Sequence, residues 1–323
     1  MIPQQLAACA AALRARWLAL PAPLRGAAWM TVAAGAFAGM NTIIRALTMQ
    51  IPVLEVVFLR SLAGFAFMVP WLLGTGFRGL QTSHHRLFIS RSALAFISMV
   101  LSFWAFALLP VAEATALSFT APLFATVSAI VVLGERVRLR RWTATFIGFF
   151  GAMIVVRPGI ETISLGHVVV LASSAIGGFN GVVVKQLTRT EPTNTIVTYT
   201  TLWILPMALV PALFVWVWPP HDAWLLIALL GLLGTIGHQC FTRAFAIAEA
   251  SMMAPFDFAK LPLAAFLAWT AFGEIPDRWM WVGAAVIAGS TAYIARREAQ
   301  LARERDAALA REAASRAVPP PGG

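Results

Sequence analysis

The stretch that decides the fold is AFAIAEASMMAPFDFAKLPLAAFLAWTAFGE, residues 244–274, a long apolar run that contains Asp257 and Lys260. An earlier version of it, AFALLPVAEATALSFTAPLFATVSAIVVLGE, occupies residues 105–135. Both runs begin with Ala-Phe-Ala and end with Gly-Glu, and they are 139 positions apart at each end. We therefore interpret the chain as two homologous halves.

Less common residues repeat at the same offset, which strengthens this interpretation because apolar residues align by chance in so apolar a chain. The offset of 139 relates Asn41 to Asn180, Trp142 to Trp281 and Arg157 to Arg296.

The composition predicts a protein embedded in lipid. Of the 323 residues, 59% are hydrophobic and 12% are charged, about half the charged fraction of soluble domains, which is roughly 25%. In lipid the backbone must satisfy its own hydrogen bonds, either in helices or in a closed barrel. Continuous apolar runs of about 20 residues, without alternating short strands, favour helices. The predicted fold class is an all-α integral membrane protein.

The apolar runs predict ten transmembrane helices in two sets of five. The predicted spans are 27–46, 53–74, 87–109, 112–133, 141–157, 165–186, 195–217, 223–243, 250–272 and 279–296. The first half then covers residues 27–157 and the second half covers residues 165–296. Pro122, Pro255 and Pro262 lie inside predicted spans, and each is expected to kink its helix.

The basic residues predict the orientation. With the N-terminus in the cytoplasm, the inside segments hold most of the arginines, whereas the outside loops hold only Arg157 and Arg278. This asymmetry predicts that both termini are cytoplasmic. Since each half has an odd number of spans, the halves are predicted to be inverted repeats, as in many secondary transporters.

The remaining segments are predicted to be cytoplasmic tails, residues 1–26 and 297–323. The second tail mixes both charges with alanine and is expected to be a solvated helix that ends in a disordered Pro-Pro-Pro-Gly-Gly segment. The formal net charge of +10 is attributed to cytoplasmic loops and tails rather than to nucleic-acid binding. Cys9 and Cys240 are the only cysteines, and no CxxC spacing indicates a disulfide or a metal site.

Asp257 and Lys260 are the main polar candidates inside the membrane, where charged groups are costly. Their i,i+3 spacing would place them on one face of the ninth predicted helix, about 10 and 15 Å from its cytoplasmic end. One interpretation is a substrate or proton site. The alternative is an internal ion pair that stabilises packing.

Arg60 lies about 10 Å from the outer end of the second predicted helix and is a candidate for binding an anionic group of a substrate. Glu55 lies five positions earlier and is not on the same face. Arg45, near the end of the first predicted helix, is instead expected to form a structural pair with Glu55 across a short loop.

Asn41 and Asn180 are equivalent residues of the two halves, each preceded by small residues that allow close helix approach. Gly35 and Gly39 form a GxxxG pattern in the first span. The two amides either form interhelical hydrogen bonds or face a central cavity near the pseudo-twofold axis.

Two further side chains are weaker candidates. His238 follows a glycine stripe on the eighth predicted helix and is either a packing group or a site residue. Trp104 is a candidate cavity-lining aromatic, although such residues commonly pack or face lipid. Glu135 and Glu274 are expected to organise helix ends.

The segments ATALSFTAPLFATVSAIVVLGERV and ASMMAPFDFAKLPLAAFLAWTAFGE resemble the fourth-helix motif of the EamA domain, which occurs twice in bacterial drug/metabolite transporter superfamily proteins. Residues 53–60, VLEVVFLR, resemble the second-helix pattern of the same family. The resemblance covers roughly residues 27–296 and implies ten helices, a cavity between the halves and alternating access. Members of the superfamily carry amino acids, other metabolites, nucleotide sugars or drugs. The small multidrug branch uses a glutamate in its first helix, which this chain lacks.

The sequence therefore predicts a bacterial inner-membrane secondary transporter for a small organic solute. Export of an amino acid or related metabolite is the first expectation, and uptake of another metabolite or cofactor is the alternative. Transport would be coupled to protons through Asp257, or would proceed by exchange or facilitated diffusion, because no GxxxxGK[ST] nucleotide motif is present. A membrane-embedded enzyme is a remote alternative, since no His, Asp, Ser or Cys groups converge, and no cofactor is predicted.

Overall fold

The structure, a computed structural model, describes residues 22–75, 85–133, 139–157, 163–187, 193–247 and 256–317. Within these residues the chain is helical apart from short links and contains no β-strand, which confirms the predicted all-helical class. The helices are α1 Ala22–Thr48, α2 Val53–Thr75, α3 His85–Leu108, α4 Val111–Ser118, α5 Ala121–Leu133, α6 Leu139–Val156, α7 Leu165–Leu187, α8 Thr193–Phe214, α9 Ala223–Ile247, α10 Lys260–Phe272 and α11 Arg278–Ala317.

Several of these helices are suited to a bilayer. In the described part of the chain, four helical segments are long and apolar enough to cross a membrane: Leu24–Thr48, His85–Leu108, Val111–Ser128 and Ala223–Ala244. Shorter apolar helices occupy Trp142–Val156, Leu165–Gly181, Tyr199–Phe214 and Lys260–Phe272.

The fourth predicted helix is interrupted, which corrects the prediction of a continuous span over 112–133. Helix α4 ends at Ser118, and α5 begins at Ala121. In the intervening turn, the N–H groups of Phe119 and Thr120 donate to carbonyls three residues earlier, which is the tighter pattern of a 3₁₀ turn. Pro122 has no N–H to continue the α-helical ladder and is accommodated in the first turn of α5.

The ninth predicted helix is interrupted at the equivalent place. Residues 250–255 of the predicted span lie outside the described residues. After a helical segment at 256–257, Phe258 and Ala259 form a turn, and α10 begins at Lys260. Pro262 lies in the first turn of α10, as Pro122 does in α5. Phe119 and Phe258 are 139 positions apart, so the two interruptions occupy matching positions of the repeat.

Helices α6 and α11 pack closely because small residues face each other. A Cβ added to Gly151 would lie 2.9 Å from the carbonyl oxygen of Gly283. Farther along the same contact, the hydroxyl of Ser290 donates to the carbonyl oxygen of Ala144. The two helices come from different halves of the sequence, so this contact joins the halves.

Helix α1 packs between α9 and α10 through its GxxxG pattern. A Cβ at Gly39 would lie 3.1 Å from a methyl of Leu233 in α9, and one at Gly35 would lie 3.9 Å from a methyl of Leu263 in α10. The glycines therefore let helices of the second half approach α1 closely.

Two ion pairs and one hydrogen bond between a histidine and a carboxylate connect the halves at one end of the bundle, which we call the Arg45 end, where α1 ends and α4, α7 and α11 begin. Within the described residues three pairs join the halves there: Arg45 with Glu274 (Nε to Oε1, 3.7 Å), His167 with Glu113 (Nε2 to Oε1, 2.7 Å) and Arg157 with Asp277.

The predicted pair between Arg45 and Glu55 is wrong. Arg45 pairs with Glu274 and also donates to two carbonyls at the end of α3. Glu55 is fully buried and accepts a hydrogen bond from the N–H of Val217 at 3.0 Å. The physical reason is that Glu55 lies in the first turn of α2 and faces the segment after α8, whereas Arg45 faces the ends of α3 and α10.

The chain ends also differ from the prediction. Helix α1 begins at Ala22 instead of residue 27, and residues 1–21 of the predicted N-terminal tail lie outside the described residues. Helix α11 continues without a break from Arg278 to Ala317, so the helix predicted for the tail is present and directly extends the span predicted over 279–296. The alanine-rich tail has strong intrinsic helix propensity, and it extends the preceding helix directly.

Candidate functional site

The two helix interruptions meet between the halves. The rings of Phe119 and Phe258 have centroids 4.6 Å apart and an interplanar angle of 60°. The Nζ atom of Lys260 lies 4.6 Å from the centroid of the Phe119 ring, which is within cation–π distance. We call Phe119, Phe258, Asp257 and Lys260 the break cluster. It places an ammonium group and two aromatic rings at the contact between α4 and α10.

Asp257 and Lys260 form no ion pair within the part of the chain that the structure describes, so the alternative of an internal ion pair is not what is observed. The i,i+3 argument required a continuous helix, whereas the turn at Phe258 and Ala259 separates the two side chains. Both residues are partly exposed. Among the described residues, neither charge is neutralised by an ion pair with the other, and Lys260 contacts the ring of Phe119.

Asn41 forms the interhelical hydrogen bond that was one of its two predicted roles. It is 7% exposed, and its Nδ2 atom donates to the hydroxyl of Thr115 in α4 at 3.3 Å. Thr115 lies one helical turn before Phe119. The hydrogen bond therefore connects α1 to the break cluster.

Arg60 belongs to α2, and its side chain lies near Met99 of α3 and Gly234 of α9. It has no carboxylate partner in the described residues. Its Nη1 atom is 3.8 Å from the sulfur of Met99, a weak acceptor. On the α9 side, a Cβ at Gly234 would lie 3.6 Å from Nη2 and 3.6 Å from the sulfur of Met40. Since a guanidinium carries five N–H donors, most of its hydrogen-bonding capacity is left to water or a ligand.

His238 and Arg60 both lie next to Gly234 of α9. Its Nδ1 atom is 2.9 Å from the carbonyl oxygen of Gly234, and its ring makes an edge contact with Phe37 at a centroid distance of 5.2 Å. The Nε2 atom has no hydrogen bond among the described residues. Arg60, His238, Met40 and Met99 form what we call the arginine cluster. Phe37 is one turn before Asn41 on α1, so this helix touches both clusters.

Asn180 differs from its equivalent Asn41. Its Oδ1 atom is buried and has no hydrogen-bond partner in the described part of the chain. The neighbouring Gly178 packs against the backbone of α5. The position equivalent to Thr115 is Ala254, so the hydroxyl that accepts from the Nδ2 atom of Asn41 has no equivalent in the second half. Among the described residues, Asn180 carries an unused acceptor, its Oδ1 atom.

Trp104 is not part of either cluster. Its side chain is 46% exposed and shares one face of α3 with Ile97 and Leu108, which are 44% and 43% exposed. An exposed apolar stripe of this kind on a membrane helix is suited to contact with lipid or an apolar solute.

The sequence analysis missed Phe119, Thr115 and the two methionines of the arginine cluster. Phe119 and Phe258 share the 139-residue offset, so the repeat contained a signal that would have identified them. Met40 and Met99 carry no such signal, because their proximity to Arg60 depends on how α1 and α3 pack. Among the described residues, no group of three or more His, Cys, Asp or Glu side chains is placed to hold a metal ion.

Comparison with known proteins identifies relatives over most of the chain. The model of the EamA-like transporter family matches residues 24–157 and again residues 164–296. The chain is 34% identical over 286 residues to the riboflavin transporter of Vibrio cholerae, covering 87% of this chain and 96% of that protein. It is 33% identical to the riboflavin transporter of Rhizobium johnstonii, covering 87% and 93%. It is 25% identical to the S-adenosylmethionine uptake transporter of Rickettsia prowazekii, covering 74% and 82%.

Proposed function

Since this chain belongs to the EamA-like transporter family, within the drug/metabolite transporter superfamily, we propose that it carries riboflavin, or a flavin of similar size, into the cell as a secondary transporter. Family and relatives indicate a small-molecule transporter and not an enzyme, in a multi-pass protein of the bacterial inner membrane. The choice of riboflavin as the proposed substrate rests on the similarity to two riboflavin transporters over nearly their whole length.

This proposal takes the alternative of the sequence analysis, uptake of a cofactor, in preference to export of an amino acid. The name of a more distant relative, which specifies uptake of S-adenosylmethionine, supports the inward direction. Both named substrates combine a heteroaromatic ring system with a polar chain. A site for such a solute needs aromatic surface and hydrogen-bonding groups together.

The proposed architecture is ten membrane spans in two inverted five-helix repeats, residues 27–157 and 165–296. Helices α4 and α5 form one span, and residues before and within α10 form another. The packing of α6 on α11 supports this arrangement. The 139-residue offset relates Ala144 to Gly283 and Gly151 to Ser290, so the contacts Ala144–Ser290 and Gly151–Gly283 are equivalent to each other. A twofold axis between the halves would generate such a pair of contacts.

The proposed orientation has both termini in the cytoplasm, with tails at residues 1–26 and 297–323. The distribution of arginines supports it. The Arg45 end then faces the periplasm.

The proposed substrate contacts are Arg60, His238, Asp257 and Lys260 of the two clusters, together with Asn41, Trp104 and Asn180. We assign the break cluster to the flavin ring system, because the faces of Phe119 and Phe258 provide aromatic surface between the halves. Lys260 could then donate a hydrogen bond to an acceptor of the bound flavin.

We assign the arginine cluster to the pyrimidine edge of the flavin. That edge presents two carbonyl oxygens and a ring nitrogen as acceptors, with one N–H donor. A guanidinium fork matches two adjacent acceptors, and Arg60 has no carboxylate competing for its donors in the described residues. The Nε2 atom of His238 offers a second polar contact nearby.

We assign the ribityl chain to Asn180, whose free Oδ1 atom would accept a hydroxyl hydrogen bond. Asn41 contributes by holding α4 in place through Thr115. Asp257 is the proposed proton carrier, since protonation would lower the cost of a carboxylate within the membrane. Coupling through Asp257 is the feature that would make uptake depend on the proton gradient.

The direct test is uptake into proteoliposomes that contain the purified protein. We expect labelled riboflavin to accumulate above protein-free vesicles, and excess unlabelled riboflavin to compete better than S-adenosylmethionine or an amino acid mixture. Transport of an amino acid with no flavin uptake would refute the proposed substrate and favour the first expectation of the sequence.

The assignment of Arg60 is tested with two fragments of riboflavin as competitors. Lumiflavin keeps the pyrimidine edge but lacks the ribityl chain, and N-(D-ribityl)-3,4-dimethylaniline keeps the chain but lacks that edge. In Arg60→Gln we expect inhibition by lumiflavin to weaken about tenfold, the effect of losing a charged hydrogen bond, with inhibition by the ribityl compound unchanged. Arg278→Gln, at an exposed helix start, is the control. Equal weakening of both competitors would exclude a specific contact with the pyrimidine edge.

A further inference from the structure

The three pairs at the Arg45 end are not repeated in the sequence at the equivalent positions of the two halves. In each pair one residue comes from the first half and the other from the second half. The offset of 139 identifies the residues that occupy the equivalent positions at the opposite end. For Arg45–Glu274 they are Val184 and Glu135, for Glu113–His167 they are Met252 and Ala28, and for Arg157–Asp277 they are Arg296 and Arg138.

Because of these differences between the two halves, none of the three attractions is repeated at the equivalent positions. The first pair loses its cation and the second loses both hydrogen-bonding side chains. The third becomes two arginines, which would repel each other if the two positions came together. The backbone hydrogen bond from Val111 to Glu274 is the exception, because Glu135 keeps the carboxylate for an equivalent bond. The loss is therefore specific to the ion pairs.

In an inverted-repeat transporter, the two halves exchange conformations when access changes sides. A contact that closes one end in the first state is then replaced, in the second state, by the contact between the equivalent residues at the other end. If the two halves were identical in sequence, the two states would have the same free energy. Sequence differences at the closing contacts therefore decide which state is more populated.

We propose that Arg45–Glu274, Glu113–His167 and Arg157–Asp277 form a latch that biases the protein, without substrate, towards the state closed at the Arg45 end. This proposal rests on the inverted repeats and alternating access proposed above, and it does not depend on the substrate. With the proposed orientation, the resting transporter is closed to the periplasm and opens towards the cytoplasm.

The positions of the pairs suit this role. Each lies at a helix end, where a small displacement of one half separates the charges. The side chains of His167 and Glu113 are 8% and 23% exposed, and those of Arg45 and Glu274 are 19% and 18% exposed, so water screens them less than it screens a surface pair. Individual exposed pairs change an equilibrium only about two- to fivefold. Three pairs together bias it by about tenfold or more.

The test measures the distance across the Arg45 end by pulsed electron paramagnetic resonance in lipid nanodiscs. Spin labels are attached at Met49→Cys in the first half and Ile275→Cys in the second half, which are 66% and 83% exposed, in a Cys9→Ser, Cys240→Ala background. The latch variant combines Arg45→Gln, His167→Gln and Asp277→Asn. The control is Arg297→Gln, which removes a pair with Glu304 inside α11 and joins no halves.

We expect one short distance in the labelled parent and in the Arg297→Gln control. The latch variant should show a second, longer distance whose ratio to the short one is about tenfold higher than in the parent. A second variant keeps the latch intact, so it still tests the proposal if the latch variant misfolds. Arg138→Asp replaces the arginine equivalent to Asp277 and creates an attraction with Arg296, so it should also increase the long-distance population.

The outcomes separate this inference from the proposed substrate. Identical distance distributions in the parent, the latch variant and Arg138→Asp would overturn the latch, whatever the protein transports. A shift in both variants would support it, even if riboflavin uptake were absent. A shift in the latch variant alone would show that the pairs hold this end closed but that the opposite end does not compete with it, which would overturn the proposed exchange between equivalent positions.

Discussion

Phe119 and Phe258 are 139 residues apart in the sequence and touch each other in the structure, with ring centroids 4.6 Å apart. Equivalent residues of a duplicated chain meet only on or near the axis that relates the two copies. In the proposed inverted-repeat arrangement, this contact would therefore lie at the axis that relates the two halves.

Replacing Phe119 by alanine should weaken flavin binding. The substitution removes one of two rings at the break cluster and the aromatic face beneath Lys260. Aromatic contacts of this kind contribute about 0.5–1.5 kcal/mol, so we expect the KM for riboflavin to rise roughly threefold to tenfold, with Phe119→Tyr close to the parent. Phe266→Ala in α10, where the side chain is 57% exposed, should leave KM unchanged. An equal effect of both alanine variants would point to general loss of packing.

Replacing Asp257 by asparagine should abolish proton-driven uptake and leave the protein folded. No ion pair connects Asp257 with Lys260 among the described residues, so neutralising one residue does not leave the other without an ion-pair partner. We therefore expect the effects of Asp257→Asn and Lys260→Met on thermal stability to add, with a coupling energy below about 0.5 kcal/mol. Stability is measured by thermal unfolding in detergent. Proton coupling is measured as riboflavin uptake driven by an imposed pH gradient. Rescue of one variant's stability by the other would restore the ion-pair interpretation.

Replacing Gly151 by alanine should destabilise the contact between α6 and α11. The added Cβ would lie 2.9 Å from the carbonyl oxygen of Gly283 and 2.9 Å from Ile287, and overpacking of this kind costs about 1–3 kcal/mol. Gly289 is the matched control, because nothing lies within 4 Å of a Cβ added there. Gly289→Ala should be neutral or stabilising by up to about 1 kcal/mol. The melting temperature should fall for Gly151→Ala and stay the same or rise for Gly289→Ala, and an equal fall for both variants would contradict the close contact.

Reporter fusions should place the two ends of the bundle on opposite sides of the membrane. A cytoplasmic reporter fused after Gly323 should be active, and a periplasmic reporter inserted at Pro219, in the link between α8 and α9, should also be active. The asymmetry of basic residues is the physical basis. If both sites reported the same compartment, the ten-span inverted arrangement would be excluded.

The helices and the duplication could be predicted from sequence because both depend on local signals. Apolar runs of membrane length identify helices directly, and the rare residues Asn41 and Asn180 reveal the repeat offset. The interruption at Phe119 was not predicted, although Pro122 pointed to a kink. A proline removes one hydrogen bond, and whether the helix bends or ends there depends on what packs against it.

The partners of the charged residues could not be predicted, because they are distant in sequence. Glu55 was chosen for Arg45 as the nearest carboxylate along the chain, but the observed partner, Glu274, lies in the other half. For Lys260, the spacing to Asp257 indicated a shared helix face only if the helix were continuous. The turn between them removes that condition, and the ammonium group faces Phe119 instead.

Because helix α11 is uninterrupted, the carboxyl-terminal tail moves together with the part of the helix that lies in the membrane. Its 40 residues span about 60 Å at 1.5 Å per residue, and about half of that length lies beyond Arg296. A tilt of the membrane part by about 10° would therefore swing the far end through about 5 Å. Because α11 packs on α6 of the opposite half, any rocking between the halves is carried into the tail and magnified there. The displacement of a fluorophore attached to the tail would thus report, from the aqueous phase, on movements inside the bilayer.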